Sequence, residues 1–253
     1  MGDKKPDIVA GNDLPDFNPD EEYLQELKSP IYYAVQKDID IRTGEPTLID
    51  FDMQRISQRI NIILNIRTEG DIKKEDLLPP IIELSGACGH FNISEACLDT
   101  TRLYRMVHQA QPDEFTQTGE NTYRCVVHFH TLGVIPSAAK GHLNGPGILQ
   151  VALQVSANRL DASGAPVLDQ DGKPVKNSRY IYGAINPYDE LTAAQLIEVR
   201  DGKTYLRYSK DDVNIEITSP LVIKADQIVS DDTGMGWQPN DPTNPDDDII
   251  IEI

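Results

Sequence analysis

Two histidines separated by a single residue are the side chains of this sequence best suited to chemistry. His128 and His130 flank Phe129, and alternate residues of a β-strand project from the same face. Neutral imidazole nitrogens bind metals, so two of them on one face are a start for a metal site. Cys125 would project from the opposite face, and His142 follows after a glycine-containing loop. The spacing therefore offers a possible metal site with up to three histidines.

The spacing of His128 and His130 resembles the H-x-H of cupins, a double-stranded β fold. The resemblance implies a metal-dependent β-barrel enzyme. The family pattern continues with a Glu a few residues later, whereas residues 131–134 read Thr-Leu-Gly-Val. A metal site needs a further ligand at a suitable spacing. We therefore interpret the histidines as ordinary strand residues, keep the enzyme as the alternative, and expect neither a metal nor another cofactor.

The remaining motifs predict no catalysis. Cys88, Cys97 and Cys125 match no paired C-x-x-C spacing and are expected to be free structural cysteines. Residues 169–172, Asp-Gln-Asp-Gly, resemble the start of a calcium loop but lack the later bidentate Glu. The glycine-rich residues 144–147 lack the Lys of a phosphate-binding loop. We expect a non-enzymatic protein.

Charge is concentrated at the two ends of the chain. The formal net charge is −18 over 253 residues. Residues 1–30 hold eight acids and three lysines, and residues 226–253 hold eight acids and no base, which leaves only −5 for the residues between. This distribution predicts a near-neutral body with two acidic arms. It argues against duplex DNA or an anionic membrane as the main partner, because both are polyanions.

The sequence shows no targeting signal. No apolar segment follows Met1, and no run of about 18 apolar residues occurs, so we expect neither a signal peptide nor a transmembrane helix. Three cysteines are too few for a disulfide scaffold, which favours a reducing compartment.

Residues 31–49 are predicted to form a strand, a hairpin turn and a returning strand. Three helices are predicted after them in the N-terminal half. The first spans 52–69, where apolar residues fall at spacings of three and four and Gly70 supplies a stop. A short second helix starts at Asp71, and a third starts at Ser94 and ends before Pro112.

From residue 121 onward the pattern alternates, as is typical of strands. The predicted strands are 123–131, 148–158, 180–185, 196–200, 204–208, 213–218 and 221–224. Asp201-Gly202 is the strongest hairpin signal, because a type I′ turn needs residues that tolerate positive φ. One short helical turn is predicted within 187–194. The fold class is therefore α+β, with N-terminal helices and a C-terminal antiparallel β-sandwich or barrel.

An internal repeat interrupts the β half. The eight-residue unit L-D-x-[SD]-G-x-P-V occurs twice in succession over 160–175 and predicts a long protruding hairpin of linked turns. The predicted division has four parts: an acidic extended arm (1–30), a mixed helix-containing region (31–118), an antiparallel β domain (119–229) and a second acidic arm (230–253).

In general make-up the whole chain resembles a virion structural protein of tailed bacteriophages. The closest type is a neck or tail ring protein of the head-to-tail connector, as in crAss-like phages. The resemblance rests on the charged arm 1–30, the helix 52–69 joined to a β domain, and the repeat 160–175. It implies a homo-oligomeric ring bound to portal or tail subunits, with DNA at most passing through the lumen and no membrane contact. The implied location is the virion, assembled in the host cytoplasm.

Residues of three kinds are predicted to meet neighbouring subunits. Arg55 and Arg59, one turn apart on the first predicted helix, could face an acidic arm. The others are Asp169 and Asp171 in the hairpin and the apolar run Ile249, Ile250 and Ile251, which could add to a sheet edge. A carbohydrate- or surface-binding module is a third possibility, weakened by an aromatic content of only 6%.

Overall fold

The computed structural model describes most of the central chain. The described residues are 23–41, 43–44, 46–70, 72–159, 161, 163–207 and 212–224. Residues 1–22 of the first predicted arm lie outside this set, as does the whole of the second, including the interface candidates Ile249, Ile250 and Ile251.

The described residues form twelve strands and one short α-helix. The strands are β1 (Tyr32–Tyr33), β2 (Gln54–Arg55), β3 (Gln58–Glu69), β4 (Ile81–Asn92), β5 (Cys97–Gln109), β6 (Phe115–Gly119), β7 (Thr122–Thr131), β8 (Leu149–Asn158), β9 (Lys176–Ile185), β10 (Ile197–Arg200), β11 (Lys203–Leu206) and β12 (Val213–Lys224). The helix α1 is Tyr188–Ala194, and Lys74–Asp76 forms a single 3-10 turn.

Ten of these strands build two large sheets. One has the order β10-β11-β5-β4-β8-β9 and the other β12-β3-β7-β6, while β1 and β2 form a separate two-stranded ladder. The pairs are antiparallel except for β12 and β3, which run parallel. The chain beyond β7 joins the sheets, because the Cys88 amide donates to the Gly133 carbonyl at 2.9 Å and the Ile135 amide to Gly86 at 2.9 Å.

The main core draws side chains from both large sheets. Ile60 and Ile62 of β3, Leu84 of β4, and Val151 and Leu153 of β8 are at most 1% exposed and belong to one apolar cluster. Burial of these apolar side chains stabilises the fold, at roughly 25 cal/mol per Å² of apolar surface removed from water.

The predicted α+β class, with N-terminal helices and a C-terminal antiparallel β-sandwich or barrel, is wrong. The N-terminal half is also β-sheet, and each large sheet combines strands from both halves of the chain. Most of the segment predicted as the first helix is β3, in which Ile60, Ile62, Leu64 and Ile66 are buried. These residues fall on alternate positions, with Asn61, Ile63 and Asn65 between them, so the segment also fits the period of two of a strand. Tertiary pairing with β7 and β12 on both sides fixes the strand.

The predicted third helix is also a strand, β5. Ser94 does not cap a helix. The Asn92 side-chain oxygen accepts the amides of Ser94 (3.1 Å) and Glu95 (3.2 Å), which closes the turn between β4 and β5. The predicted second helix shrinks to the 3-10 turn Lys74–Asp76.

The strands predicted for the C-terminal half are confirmed, with shifted ends. Asp201 and Gly202 both have positive φ (50° and 72°) in the turn between β10 and β11, as predicted. The segments 213–218 and 221–224 form one strand, β12, with a register shift between Ile217 and Leu221. The predicted helical turn is α1.

The octapeptide repeat forms two linked turns at the tip of the β8–β9 hairpin. The Asp161 carboxylate accepts the Ser163 and Ala165 amides at 2.8 and 3.0 Å. Asp169 accepts the Asp171 and Lys173 amides at 2.9 and 2.8 Å in the same way. The pairing of β8 with β4 ends at Ala152, a bridge from Leu77 then reaches Val155, and β8 continues with β9 to Asn158.

Among the described residues, no helix combines the length and the apolar composition needed to cross a membrane.

Candidate functional site

A long excursion of the chain separates β1 from β2, and we call residues 34–53 the arm. At its base, Tyr32 pairs with Arg55 and Tyr33 with Gln54. The predicted turn is present at Thr43-Gly44, but the strands expected beside it over 31–49 are reduced to the two-residue β1. The arm therefore projects with little backbone pairing of its own.

Exposed apolar side chains are concentrated in and beside the arm. Fourteen large apolar residues are exposed in the described chain, and nine of them lie within 31–53. These nine are Ile31, Tyr32, Val35, Ile39, Ile41, Leu48, Ile49, Phe51 and Met53. Leu48 is 87% exposed and Ile41 76%. Large exposed apolar patches often mark interaction sites, so this concentration makes the arm a candidate interaction surface.

The apolar residues of the arm alternate with acids. Residues 49–53 read Ile-Asp-Phe-Asp-Met, and residues 39–41 read Ile-Asp-Ile. In an extended chain this alternation places the apolar side chains on one side and the carboxylates on the other. Such a segment is suited to lie along a partner that is apolar and bordered by positive charge.

The base of the arm is anchored to the β4–β5 hairpin. Tyr33 packs edge-on against Phe91, with ring centroids 5.4 Å apart. Its hydroxyl donates to the Ile93 carbonyl at 2.8 Å. Ile93 is itself 67% exposed and extends the apolar surface at the base. The arm thus leaves the body from a fixed point.

The segment immediately before the arm lies between the two sheets, and we call residues 23–31 the strap. The Leu24 amide donates to the Arg105 carbonyl of β5 at 2.7 Å, and the Leu27 amide donates to the His130 carbonyl of β7 at 2.9 Å. Tyr23 and Leu24 are buried (1% and 7% exposed). Residues 23–27 of the predicted N-terminal arm therefore pack against the body.

Tyr23, the first residue of the strap, forms a hydrogen bond with a buried carboxylate. The Tyr23 hydroxyl donates to Glu83 Oε2 at 2.6 Å. Glu83 is fully buried and pairs through its other oxygen with the Arg105 guanidinium. Burial of a charge is tolerated only when the charge is paired and hydrogen-bonded. The Tyr23 hydroxyl of the strap thus adds a hydrogen bond to the buried Glu83 carboxylate, which already pairs with Arg105.

Protein groups engage both ring nitrogens of His130. Its Nδ1 lies 2.8 Å from the Leu27 carbonyl and its Nε2 lies 3.0 Å from the Ser57 hydroxyl. Burial lowers the pKa of His130, and the positive charge of Arg55 lowers it further. A neutral imidazole with both nitrogens engaged holds the strap against β7.

A second histidine cluster lies next to the strap. His108 Nε2 is 2.9 Å from Glu114 Oε2, and His108 Nδ1 is 3.5 Å from Glu26 Oε1 of the strap. His128 Nδ1 is 3.5 Å from Glu114 Oε1. Burial by itself would lower the pKa of His108, but the two carboxylates outweigh it and raise that pKa. The cluster favours the imidazolium form of His108.

The structure separates the three histidines that the sequence offered as possible metal ligands. His128 and His130 share a face of β7, as predicted from their spacing, but bind different partners. His142 is exposed in the loop between β7 and β8. In the part of the chain that is described, no three His, Cys, Asp or Glu side chains are placed to hold a metal ion.

The cysteines are not activated. Cys88, Cys97 and Cys125 are free and buried. Burial raises the pKa of Cys88 and of Cys125 to about 12, so both thiols stay protonated.

An open cleft of about 450 Å³ lies where β5 meets the β10–β11 hairpin. Its charged groups are already paired, because Lys203 contacts Glu95 at 2.8 Å and Asp99 accepts the Thr101 amide at 3.0 Å. Burial raises the pKa of Cys97 at its wall. This arrangement offers no activated nucleophile.

The predicted interface arginines lie on strands rather than on one helix. Arg55 is in β2, and Arg59 in β3 contacts Asp212 at 3.7 Å. Asp169 uses its carboxylate to close a turn of its own hairpin. Contacts of these residues with neighbouring subunits stay a prediction.

No sequence motif indicated that Glu26, His108 and Glu114 form a cluster, because they come from three separate elements. The alternation over 49–53 was a visible signal for the arm, since it resembles an exposed strand without a partner.

Comparisons with known proteins add little. No protein-family model matches the chain, and no curated protein matches it. Among solved structures, a crystal structure from Bacteroides ovatus described as a "putative adhesin" aligns with a TM-score of 0.39 and 8% identity over 80% of this chain. The chain spans 59% of the length of that protein. A similarity of this size establishes neither a shared fold nor a shared function.

Proposed function

We propose that this protein is a non-enzymatic structural subunit that assembles with other subunits through the arm. The observation that carries the proposal is the concentration of exposed apolar side chains in and beside the arm, nine of fourteen in the described chain. Their burial against a partner would repay the cost of exposing them in the free subunit.

The charge of the arm defines the partner surface. Residues 34–53 carry five acids and two bases, a formal net charge of −3. Electrostatic complementarity selects partners and orients them. The partner surface is therefore apolar at its centre and basic at its border, and a second copy or another subunit of the assembly presents it.

A serine-substituted arm tests this proposal. The triple variant Ile49→Ser, Phe51→Ser, Met53→Ser removes three exposed apolar side chains without touching the core. We expect the subunit to stay folded by circular dichroism and its self-association to weaken at least tenfold by light scattering.

A matched control removes three equally exposed apolar residues elsewhere. Leu78, Leu168 and Val199 are 52%, 57% and 66% exposed, outside the arm. Their triple serine variant should associate like the parent. A parent chain that is strictly monomeric and binds no partner subunit, or an arm variant that associates normally, would contradict the proposal.

The head-to-tail connector of a tailed bacteriophage remains our proposal for the particular assembly, and it now rests on the charged segment 1–30 and the repeat 160–175, because most of the predicted helix 52–69 is a strand. A head-to-tail contact closes into a ring only if its rotation allows it, and otherwise gives a filament. Negative-stain electron microscopy of the assembled protein separates the two, and open filaments would count against a connector ring.

The alternative of a cupin-like enzyme requires His130 as a ligand. Both of its ring nitrogens are engaged, by the Leu27 carbonyl and the Ser57 hydroxyl. Stoichiometric metal in purified protein, lost in the His128→Ala variant, would revive that hypothesis.

A further inference from the structure

We infer that Asn144 is a site of spontaneous chemical modification, at which the side-chain amide is converted into aspartate and isoaspartate. Residues 144–145 form the one Asn-Gly pair of the sequence. Asparagine is among the chemically labile residues, and this reaction needs water but no enzyme. The inference is independent of the proposed function.

The reaction starts from the main-chain nitrogen of Gly145. After hydroxide has removed its proton, this nitrogen attacks the side-chain carbonyl carbon of Asn144, a C–N bond forms, and ammonia leaves. Water then opens the resulting succinimide at either of its carbonyl groups. One opening gives aspartate with the original backbone. The other gives isoaspartate, in which the main chain runs through the side-chain carbons and is therefore longer.

Both reacting groups are accessible to solvent. Asn144 and Gly145 are exposed and lie in a bend between β7 and β8. Among the described residues, none accepts a hydrogen bond from the Asn144 side chain or from the Gly145 amide. Gly145 has no side chain to shield its nitrogen, and a Cβ built there would have nothing within 4 Å. Hydroxide and the attacking geometry are thus both available without unfolding.

Asn92 shows that exposure alone is not enough. It is also exposed, but the residue that follows it is Ile93, whose β-branched side chain crowds the main-chain nitrogen. The Asn92 side-chain oxygen also accepts the amides of Ser94 at 3.1 Å and Glu95 at 3.2 Å, which holds the side chain in place. Asn92 is therefore the matched control within the same chain.

The modification would reach the packing of β4. The Ser85 hydroxyl of β4 donates to the Gly145 carbonyl at 2.7 Å. The same hydroxyl accepts the Ile148 amide at 3.0 Å, and the Ser85 carbonyl accepts the Gly147 amide at 3.1 Å. Isoaspartate lengthens the chain immediately before these contacts and adds a negative charge. The isoaspartate product should therefore loosen the contact between β4 and the segment that leads into β8.

Peptide mapping of the aged full chain tests the inference. The folded protein is incubated at mildly alkaline pH and digested, and an isoaspartyl methyltransferase identifies isoaspartate in each peptide. We expect the peptide with Asn144 to convert at least tenfold faster than the peptide with Asn92. Asn144 that stays intact in the folded protein would overturn the inference. Its reaction in a parallel incubation in urea would then show that the fold protects it.

Two variants separate the charge from the change of backbone. Freshly prepared Asn144→Asp carries the charge on an unchanged main chain, whereas Asn144→Gln keeps an amide that cyclises more slowly. We expect the aged parent to melt at a lower temperature than Asn144→Asp, and aged Asn144→Gln to melt like the fresh variant. The aged Gln variant also reports any ageing elsewhere, as at Asp171-Gly172. Equal melting temperatures for the aged parent and Asn144→Asp would contradict the effect on β4.

Discussion

Two histidines near the strap, the half-buried His108 and the buried His130, have pKa values shifted in opposite directions. The carboxylates of Glu26 and Glu114 raise the pKa of His108, whereas burial and Arg55 lower that of His130. A group with a raised folded pKa stabilises the fold at low pH, and one with a lowered folded pKa loses stability on protonation. The two effects oppose each other near the ordinary histidine value of 6.5.

The contribution of His108 can be isolated by substitution. His108→Gln removes the imidazolium, so the parent should exceed the variant in free energy of unfolding by about 1.5 kcal/mol below pH 6.5. The difference should shrink as pH rises through the raised pKa of His108. Urea denaturation at several pH values measures it.

His142→Gln is the matched control, because His142 is exposed in a loop. It should give no pH-dependent difference from the parent. A His108→Gln difference that stays constant with pH would show that packing, not charge, is the role of His108.

The Tyr23 hydroxyl offers a second test at this scale. It donates to the fully buried Glu83 carboxylate at 2.6 Å. Tyr23→Phe keeps the ring and removes the donor, so we expect a loss of about 2 kcal/mol in unfolding free energy. Tyr32→Phe, at a residue 54% exposed, is the control and should be neutral by the same denaturation assay.

Gly86 of β4 lies where the chain beyond β7 packs closely against that strand. Gly86 has φ of +83°, and a Cβ there would lie 2.7 Å from the Gly147 nitrogen and 2.7 Å from the Ile135 oxygen. Both neighbours are backbone and cannot move independently of their own hydrogen bonds. The junction of the two sheets therefore requires glycine at this point.

Gly86→Ala should destabilise the fold by about 3 kcal/mol, because backbone strain and steric overlap add. Gly172→Ala isolates the strain, since Gly172 has φ of +78° with open space around its Cβ direction. That control should cost about 1 kcal/mol. Equal melting temperatures for the two variants would show that the junction relaxes around a methyl group.

At the scale of the whole molecule, the strap closes the body and the arm projects from it. A chain that lacks residues 1–27 loses the burial of Tyr23 and Leu24, which a chain lacking 1–22 retains. We expect the longer truncation to be less stable than the shorter by about 3 kcal/mol or more, as for loss of large buried side chains. Comparing the two truncations by denaturation cancels any effect of residues 1–22, and equal stability would show that the strap does not contribute to the core.

The sequence alone determined the strands after residue 121 and the turns between them. Asp201-Gly202 and the two Asp-initiated repeat turns depend on local backbone preferences, which neighbouring residues alone set. Likewise, the alternation in β7 placed His128 and His130 on one face, because a strand has a fixed period of two.

Only the tertiary structure decided the rest. The apolar residues of 58–69 fit two periods locally, and pairing with β7 and β12 selected the strand. The His108 cluster joins Glu26 of the strap and His108 of β5 with Glu114, which precedes β6, and His128 of β7. No spacing in the sequence connects these residues. The composition of residues 1–30 predicted that the strap belongs to an extended acidic segment. In the structure, the strap instead lies in a groove formed by strands that are distant in sequence. Local preferences act between neighbours in sequence, whereas these contacts exist only after the sheets have come together.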